Sequence, residues 1–169
     1  MENKELKPYR RKDAVAYAHK WAYGRNPEFF DYDTIGGDCT NYASQCIFAG
    51  TGRMNYTPTF GWYYISADQK APAWTGVIYL HNFLTREKTS PGPVCQVTQK
   101  LELAEPGDII QLQFKGETFQ HSPVVVHADI AGDPSQILLA AHSYDADYRP
   151  LDTYEYTNYR VLHILGYYE

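Results

Sequence analysis

Cys39 is the residue of this sequence whose type and position best suit nucleophilic chemistry. It follows the turn-forming residues Gly36, Gly37 and Asp38 and opens a stretch, 39–49, with helical spacing of its apolar residues. The N-terminus of a helix carries a partial positive charge and unpaired N–H groups, which favour the thiolate. We therefore expect the pKa of Cys39 to be depressed. The alternative is a buried structural cysteine, because a free cysteine behaves as a small hydrophobe.

Two histidines could act with such a thiol. A thiolate that attacks an amide or ester needs a histidine to shuttle the proton and a third group to orient the imidazole. His121 stands where a polar loop enters a predicted strand, 122–130, so its ring should lie at the rim of the sheet. A hairpin turning near 131–135 returns His142 and, just after it, Asp145. The register of the hairpin decides which of these two faces His121, and the sequence leaves both open.

A metal site is a weaker interpretation of the same region. Its ligands would be His121, His127, Asp129 and His142, but side chains spread over ~20 Å of strand cannot converge on one ion. We therefore expect no metal and no other cofactor. The remaining histidines are assigned structural roles: His19, His81, His127 and His163.

The cysteines indicate free thiols. The chain contains three, Cys39, Cys46 and Cys95, so at least one is unpaired. Cys39 and Cys46 lie about 10 Å apart along the predicted helix, beyond the reach of a disulfide. Their spacing matches no zinc signature. Cys46 should be protonated and shielded on the packed face of the helix.

Composition restricts the partners of the chain. The 169 residues suit one domain, 1–169, and the net charge of −5 gives no general attraction to nucleic acid or anionic membranes. Sixteen tyrosines and three tryptophans favour a groove for a peptide or sugar, although tyrosines half-exposed on strands are the alternative. The sequence shows no apolar signal core and no run of membrane-spanning length. As written, the chain is expected in the cytoplasm, or secreted or at the cell wall if a leader precedes it; its oligomeric state is not indicated.

The order of the predicted elements indicates an α+β fold. Residues 1–8 are polar and expected to be loosely attached. Helices are predicted over 12–23, 39–49 and 75–85, and strands over 94–98, 109–114, 122–130, 137–143 and 160–168. N-terminal helices thus pack on a C-terminal antiparallel sheet.

The connection 51–73 is long and rich in aromatic residues. Connections of this kind often form binding walls, so Trp62 is expected to line a groove beside Cys39. The alternative is a packed surface loop.

Four segments carry a resemblance to a known family. They are Gly-Gly-Asp-Cys-Thr-Asn-Tyr-Ala-Ser-Gln at 36–45, Pro-Gly-Asp-Ile-Ile-Gln at 106–111, His-Ser-Pro-Val-Val-Val at 121–126 and His-Ser-Tyr-Asp at 142–145. Together they resemble the putative amidase domain family, relatives of the NlpC-like bacterial cell-wall peptidases within the papain-like cysteine hydrolases. The resemblance extends over about residues 9–167. It implies a papain-like fold, in which the cysteine helix packs across an antiparallel sheet.

The resemblance also implies roles for individual residues. Cys39 corresponds to the nucleophile, His121 to the general base and His142 to the residue that orients it. Asn41 departs from the peptidases, which have glycine there. The residues expected to contact substrate are Asp38, Tyr32, Trp62 and Asp145, with Tyr32 standing for a tyrosine that assists the oxyanion site in some peptidases.

The expected function is cysteine-dependent hydrolysis of an amide in a small peptide or a peptidoglycan-type fragment, through a thioester intermediate. Two other functions stay open. One is a catalytically silent binding module on the same fold, and the other is an acyltransferase in which an amine replaces water. Membership of a family does not identify a substrate.

Overall fold

The computed structural model describes residues 4–169 and has an α+β fold with a six-stranded antiparallel sheet. The helices are α1 Arg11–Trp21, α2 Cys39–Thr51, α3 Pro72–Thr75 and α4 Val77–Leu84, and the strands are β1 Gly92–Thr98, β2 Ile109–Gln113, β3 Val124–His127, β4 Leu138–Ala141, β5 Ala146–Pro150 and β6 Asn158–Tyr168. The strand order is β1-β6-β2-β3-β4-β5. The prediction that helices precede an antiparallel sheet is therefore confirmed. None of the helices in residues 4–169 combines the length and apolar character needed to span a bilayer.

The central strands are buried on both faces. Ile109 packs in a cluster with the helices, whereas its neighbour Ile110 packs in a second cluster on the opposite face. The second cluster receives Leu101 and Leu151, which belong to short 3-10 helices outside the sheet. Apolar clusters therefore pack against both faces of the sheet.

Helix α2 carries small side chains that allow close packing. Ala43 and Cys46 are fully buried in the core under the helices. Gly50 lies against the N-terminal segment, where a Cβ atom would collide with the ring of Tyr9. The body of α2, which begins at Cys39, thereby packs closely against the rest of the fold.

The N-terminal segment is attached to the sheet, contrary to the predicted loose residues 1–8. Lys7 and Tyr167 form both backbone hydrogen bonds of an antiparallel bridge, at 2.8 and 3.0 Å. Strand β6 continues beyond Leu162, the residue that pairs with Ile109 at the start of β2. Without the N-terminal segment, the backbone groups of β6 beyond that residue would be unpaired on the side of β2. Residues 1–3 lie outside the described residues, and that part of the prediction with them.

Several elements differ from the sequence prediction, and three of the differences have a clear local cause. The predicted helix 75–85 corresponds to α4 and begins later, at Val77, because Gly76 adopts an extended conformation that separates α4 from the short α3 before it. Helix α2 ends at Gly52, whose left-handed backbone (φ 65°) closes the last turn. The sequence does not predict β5, because Ala-Asp-Tyr-Arg-Pro lacks apolar alternation; its terminal proline suits the edge position that β5 occupies.

Candidate active site

Cys39 and His121 line one cavity of about 390 Å³. The Cys39 thiol is free and partly exposed, at the first residue of α2. The other lining residues are glycines of the preceding turn and mostly aromatic or polar side chains: Gly36, Gly37, Phe114, Gln120, Ser143, Tyr144, Arg149 and Tyr154. The structure thus places the predicted nucleophile and the predicted base in the same cavity, called here the Cys39 cavity.

Buried hydrogen bonds join the segment of Cys39 to that of His121. Thr40 Oγ1 lies 3.1 Å from Ser122 Oγ and 3.6 Å from Cys39 Sγ. Gln111 Nε2 donates to Ser122 Oγ at 3.2 Å. The residue after the thiol and the residue after the imidazole are therefore tied directly to each other, which restricts how far the two groups can separate.

The thiol and the imidazole are both neutral at about pH 7. Burial raises the pKa of Cys39, and hydrogen bonds from Thr40 and the Ser122 backbone oppose this effect only in part. Burial, and to a smaller extent the charge of Arg149, lower the pKa of His121 to about 4. The depressed thiol pKa expected from the sequence is therefore wrong for this structure, because desolvation outweighs the field of the helix N-terminus.

The His121 ring is held by packing. Its centroid lies 6.1 Å from that of Phe114 and 5.8 Å from that of Tyr154. Its backbone continues the β2–β3 pairing, since Leu112 N donates to His121 O at 3.0 Å. This confirms the expected position at the rim of the sheet. Among the described residues, the structure gives the imidazole nitrogens no hydrogen-bond partner.

His142 does not orient His121, contrary to the expectation from the resemblance. Its Nδ1 donates to Asp38 Oδ2 at 2.7 Å, and its Nε2 lies 2.7 Å from the carbonyl oxygen of Trp21. The ring is 1% exposed and stacks on Tyr42 at 4.1 Å between centroids. Both ring nitrogens are thus engaged beneath the start of α2, so His142 supports the turn before Cys39.

Asp145, the alternative orienting residue, also faces away from His121. It forms a bidentate ion pair with Arg25, with N–O distances of 2.9 and 3.0 Å. Arg25 also bonds Asp33. Asp145 does not line the Cys39 cavity, so the expected substrate contact at Asp145 is not found there. His142 does not line it either, and the cavity therefore contains neither candidate for a third catalytic group.

Asp38 is a structural residue rather than a substrate contact. It is 1% exposed. Its Oδ1 accepts hydrogen bonds from Tyr32 N at 2.9 Å and from Asn41 Nδ2 at 2.8 Å, while Oδ2 accepts from His142. With three hydrogen bonds from the protein and almost no exposed surface, the carboxylate shapes the turn that leads into Cys39 and offers little to a ligand.

Trp62 does not form the predicted aromatic wall. It is fully buried, and its Nε1 donates to Ser44 Oγ at 3.0 Å. Its ring packs 4.7 Å from that of Trp74. The loop 51–73 is packed because an indole with a buried hydrogen-bond acceptor is more stable inside the core than on a wall. The alternative of a packed loop is the correct one for this residue.

Tyr32 lines a neighbouring cavity of about 610 Å³. Its hydroxyl donates to the carbonyl of Ala67 at 2.9 Å. The two cavities share Gly36 and Gly37 but only the other one contains Cys39. Tyr32 is therefore separated from the thiol by the glycine turn, and its hydroxyl is already engaged, so it is no donor to an oxyanion on Cys39.

The sequence does not single out six side chains of the cavity lining as site residues: Phe114, Gln120, Ser143, Tyr144, Arg149 and Tyr154. Tyr144 is 93% exposed with a left-handed backbone (φ 55°). Its signal was its place inside the motif His-Ser-Tyr-Asp. Arg149 and Tyr154 had no such signal. Arg149 lies on β5, which the sequence does not predict, and Tyr154 follows the short 3-10 helix after that strand.

Among the described residues, the acidic cluster that could hold a metal ion is formed by Asp31, Asp33 and Asp38. Arg25 lies within ion-pair distance of all three, including 3.4 Å to Asp31 and 3.8 Å to Asp38. The guanidinium already supplies the positive charge there. The alternative metal ligands named from the sequence do not gather, since His142 is bound to Asp38 and His127 is exposed at the end of β3.

Comparison with known proteins assigns the chain to a family. The family model described as putative amidase domain matches residues 8–165. The chain is 33% identical over 144 residues to uncharacterized protein YhbB of Bacillus subtilis (strain 168), which covers 83% of this chain and 43% of that relative. The chain thus spans less than half the length of that relative, and no solved structure matches it. Because the family model matches almost its whole length, the chain belongs to the putative amidase domain family.

Proposed function

We propose that the chain is a cysteine amidase in which Cys39 is the nucleophile and His121 the general base. The observation that carries the proposal is the shared cavity: both side chains line it, and the Thr40–Ser122 contact ties their segments together. The arrangement of a cysteine at the start of a helix that packs on an antiparallel sheet is also that of papain-like hydrolases, and we propose this relationship for the fold. The substrate class is an amide in a small peptide or a peptidoglycan-type fragment.

In the proposed reaction, the Cys39 thiol gives its proton to His121 as Sγ bonds to the amide carbonyl carbon. The C–N bond then breaks while His121 returns that proton to the leaving amine, which leaves a thioester on Cys39. Water next gives a proton to His121 and attacks the thioester carbonyl. The C–S bond breaks, the acid is released, and the proton returns to the thiolate, so the enzyme is unchanged.

The start of α2 offers the donor for the oxyanion. The backbone N–H of Cys39 has no acceptor among the described residues, as expected for the first residue of a helix. An oxyanion formed at the carbonyl attacked by Sγ would lie close to this N–H and to the positive end of a helix of 13 residues.

One observation favours the silent binding module as the second candidate. A neutral thiol that shares a cavity with an imidazole of pKa about 4 is a weak nucleophile–base pair at about pH 7. In a silent module, the cavity would bind the amide without forming a covalent bond to Cys39.

The experiment that separates the two candidates is incubation with dipeptide amides and peptidoglycan fragments in ¹⁸O-water, with products analysed by mass spectrometry. An amidase adds one ¹⁸O to the acyl product and carries a transient acyl adduct on Cys39. Cys39→Ser and His121→Ala should each abolish both signals. Cys95→Ser is the matched control, because Cys95 lies on β1 outside the Cys39 cavity. Binding without label or adduct, unchanged in Cys39→Ser, would identify a silent module.

A further inference from the structure

Arg149 is the one permanently charged side chain that lines the Cys39 cavity within residues 4–169. No aspartate or glutamate lines it. This contrasts with the chain as a whole, which carries 20 acidic against 15 basic residues. The cavity beside the thiol is therefore electropositive in an otherwise acidic protein, a condition that favours an anionic ligand.

The guanidinium of Arg149 is fixed in place without an acidic partner. Its Nε donates to Thr153 Oγ1 at 2.8 Å and its Nη2 to the Thr153 carbonyl at 3.0 Å. Its Cζ lies 3.7 Å from the centroid of the Tyr154 ring, so the plane is also held by stacking. Within residues 4–169 no carboxylate lies within ion-pair distance of it. Its Nη1 group keeps its N–H donors for a ligand.

A second donor in the same cavity lacks a partner. Tyr154 is 9% exposed, and its hydroxyl is buried with no hydrogen-bond partner in the part of the chain that the structure describes. Burial raises the pKa of Tyr154 and the neighbouring Arg149 guanidinium opposes this only in part, so the phenol stays protonated and remains a donor. A buried hydroxyl without an acceptor is unfavourable, and a ligand oxygen would satisfy it once a small side-chain movement opens the hydroxyl to the cavity.

We propose that Arg149 and Tyr154 form a carboxylate subsite, so that the substrate of the site is an amide carrying a carboxylate close to the scissile bond. This inference rests on the proposed amide hydrolysis at Cys39. A carboxylate fits better than a phosphate, because a single guanidinium compensates one negative charge and phosphate carries about two. The stacked guanidinium presents its remaining N–H groups in a fixed plane, the geometry in which arginine recognises planar carboxylates.

Occupation of this subsite would also activate the base. The charge of Arg149 contributes to the low pKa of His121, and a bound carboxylate would offset that charge. The imidazole would then become more basic when an anionic substrate is present. This couples recognition to catalysis and resolves the weakness of the neutral pair described above.

The test uses pairs of substrates that differ only in charge. Anilides of N-acetylated dipeptides are compared with Glu against Gln, and Asp against Asn, on the acyl side, together with γ-linked Glu bearing a free or an amidated α-carboxylate. We expect the wild-type kcat/KM to be about 10- to 100-fold higher for the carboxylate member of at least one pair, the range of a charge-assisted hydrogen bond. Arg149→Gln should remove this preference by lowering only the carboxylate member, mostly through KM.

Three variants separate recognition from folding. Arg149→Lys keeps the charge and should retain part of the preference, while Tyr154→Phe removes only the hydroxyl and should reduce it by about fivefold. Arg53→Gln makes the same change of net charge at an exposed arginine outside the cavity and should leave the preference unchanged. An Arg149→Gln enzyme that loses the same factor on both members of every pair, or a wild type without preference, would overturn the subsite.

Failure of the proposed function is recognised separately. If wild type and Cys39→Ser are alike on every substrate, the amidase proposal fails, and the subsite is then judged by binding. N-acetylglutamate 1-amide should shift the His121 imidazole NMR signals of the wild type and raise their titration midpoint, N-acetylglutaminamide should not, and Arg149→Gln should abolish the difference. Equal shifts from the two probes, or none from either, would overturn the subsite.

Discussion

The hydroxyl oxygens of Thr40 and Ser122 lie 3.1 Å apart in the core, and the hydrogen bond between them is part of a chain that runs from Gln111 to Cys39. Gln111 Oε1 accepts from Arg160 Nε, so the amide nitrogen of Gln111 is the atom that donates to Ser122. In the arrangement in which Ser122 gives its own proton to Thr40, the Thr40 proton is left for Cys39 Sγ at 3.6 Å. The chain therefore ends with a donor directed at the thiol, which stabilises the thiolate.

Thr40→Val should slow alkylation of Cys39. The valine keeps the shape of threonine but offers the thiolate no hydrogen bond and leaves Ser122 without an acceptor. We expect the iodoacetamide rate at about pH 8 to fall about 5- to 10-fold, the effect of one hydrogen bond to a charged group. Thr40→Ser should restore it. Thr51→Val, at the other end of α2, is the control. A wild-type rate in Thr40→Val would show that the donor does not act on the thiol.

Iodoacetamide should label Cys39 before the other cysteines. Its labelling rate should not show the plateau at low pH that is typical of a thiolate–imidazolium ion pair. Cys39 lines a cavity, Cys46 is fully buried, and the pKa of Cys95 is raised to about 12 by burial. Because burial also raises the pKa of Cys39, its rate should climb steadily from about pH 6 to 8.5. His121→Ala should change the rate at about pH 7 less than about twofold, since a neutral imidazole supplies no counter-charge.

The opposite outcome is well defined. A rate already constant from about pH 6 upward, and lost in His121→Ala, would mean that Cys39 and His121 form an ion pair in solution. Mass spectrometry of the peptides that contain each cysteine measures all three rates in one experiment.

His121 should make the protein less stable in mild acid. Its pKa is about 4 when folded and about 6.5 when unfolded, so the unfolded chain binds the proton more tightly. The contribution of the neutral ring to the free energy of unfolding is complete above about pH 6.5 and declines between about pH 6.5 and 4. The decline is at most about 3 kcal/mol, and it should be smaller than this because His121 is only partly shielded from solvent. In urea titrations across this range, His121→Gln should flatten the decline, whereas His127→Gln, at an exposed position, should not.

If His121→Gln leaves the pH dependence of the unfolding free energy unchanged, the imidazole is not buried as the structure has it. Arg149 faces His121 and adds to the effect, so Arg149→Gln should flatten the decline partially.

The fold could be predicted where local patterns decide it. Cys39 at a helix start after two glycines and the succession of helices and strands follow from spacing and turn residues alone. β5 could not be predicted, because its residues show no apolar alternation and its strand conformation depends on pairing with β4. Trp62 could not be placed either: a loop aromatic faces inward or outward according to whether the core offers its indole an acceptor, here Ser44.

The site was predictable to the level of its two central residues. Cys39 and His121 line the same cavity because Cys39 begins α2 and His121 lies shortly before β3, whereas the position of His142 depends on the hairpin between β3 and β4. That pairing carries an irregularity between Val125 and His127, which changes the face that later residues present. The ionisation of Cys39 depends on burial depth, which no local pattern records.

The last prediction concerns Asp38 and His142, whose side chains are buried together at 2.7 Å. Removing one partner of a buried pair costs about 3–5 kcal/mol because the other charge or donor is left unpaired. Asp38→Asn and His142→Gln should therefore each lower the free energy of unfolding substantially. Combined, they should lose less than the sum, with a coupling energy of about 1–3 kcal/mol.

The same cycle for His121 and His142 should give a coupling energy within about 0.5 kcal/mol of zero, because the two rings share no hydrogen-bond partner in this structure. Urea unfolding at about pH 7.5 measures both cycles on the same protein preparations, with His121→Gln as the second single variant. A catalytic triad predicts the opposite result: if His142 orients His121, the coupling energy between the two histidines must differ from zero. A coupling energy above about 1 kcal/mol between the histidines would return His142 to the role that the sequence suggested, and a vanishing Asp38–His142 coupling would remove it from the turn before Cys39.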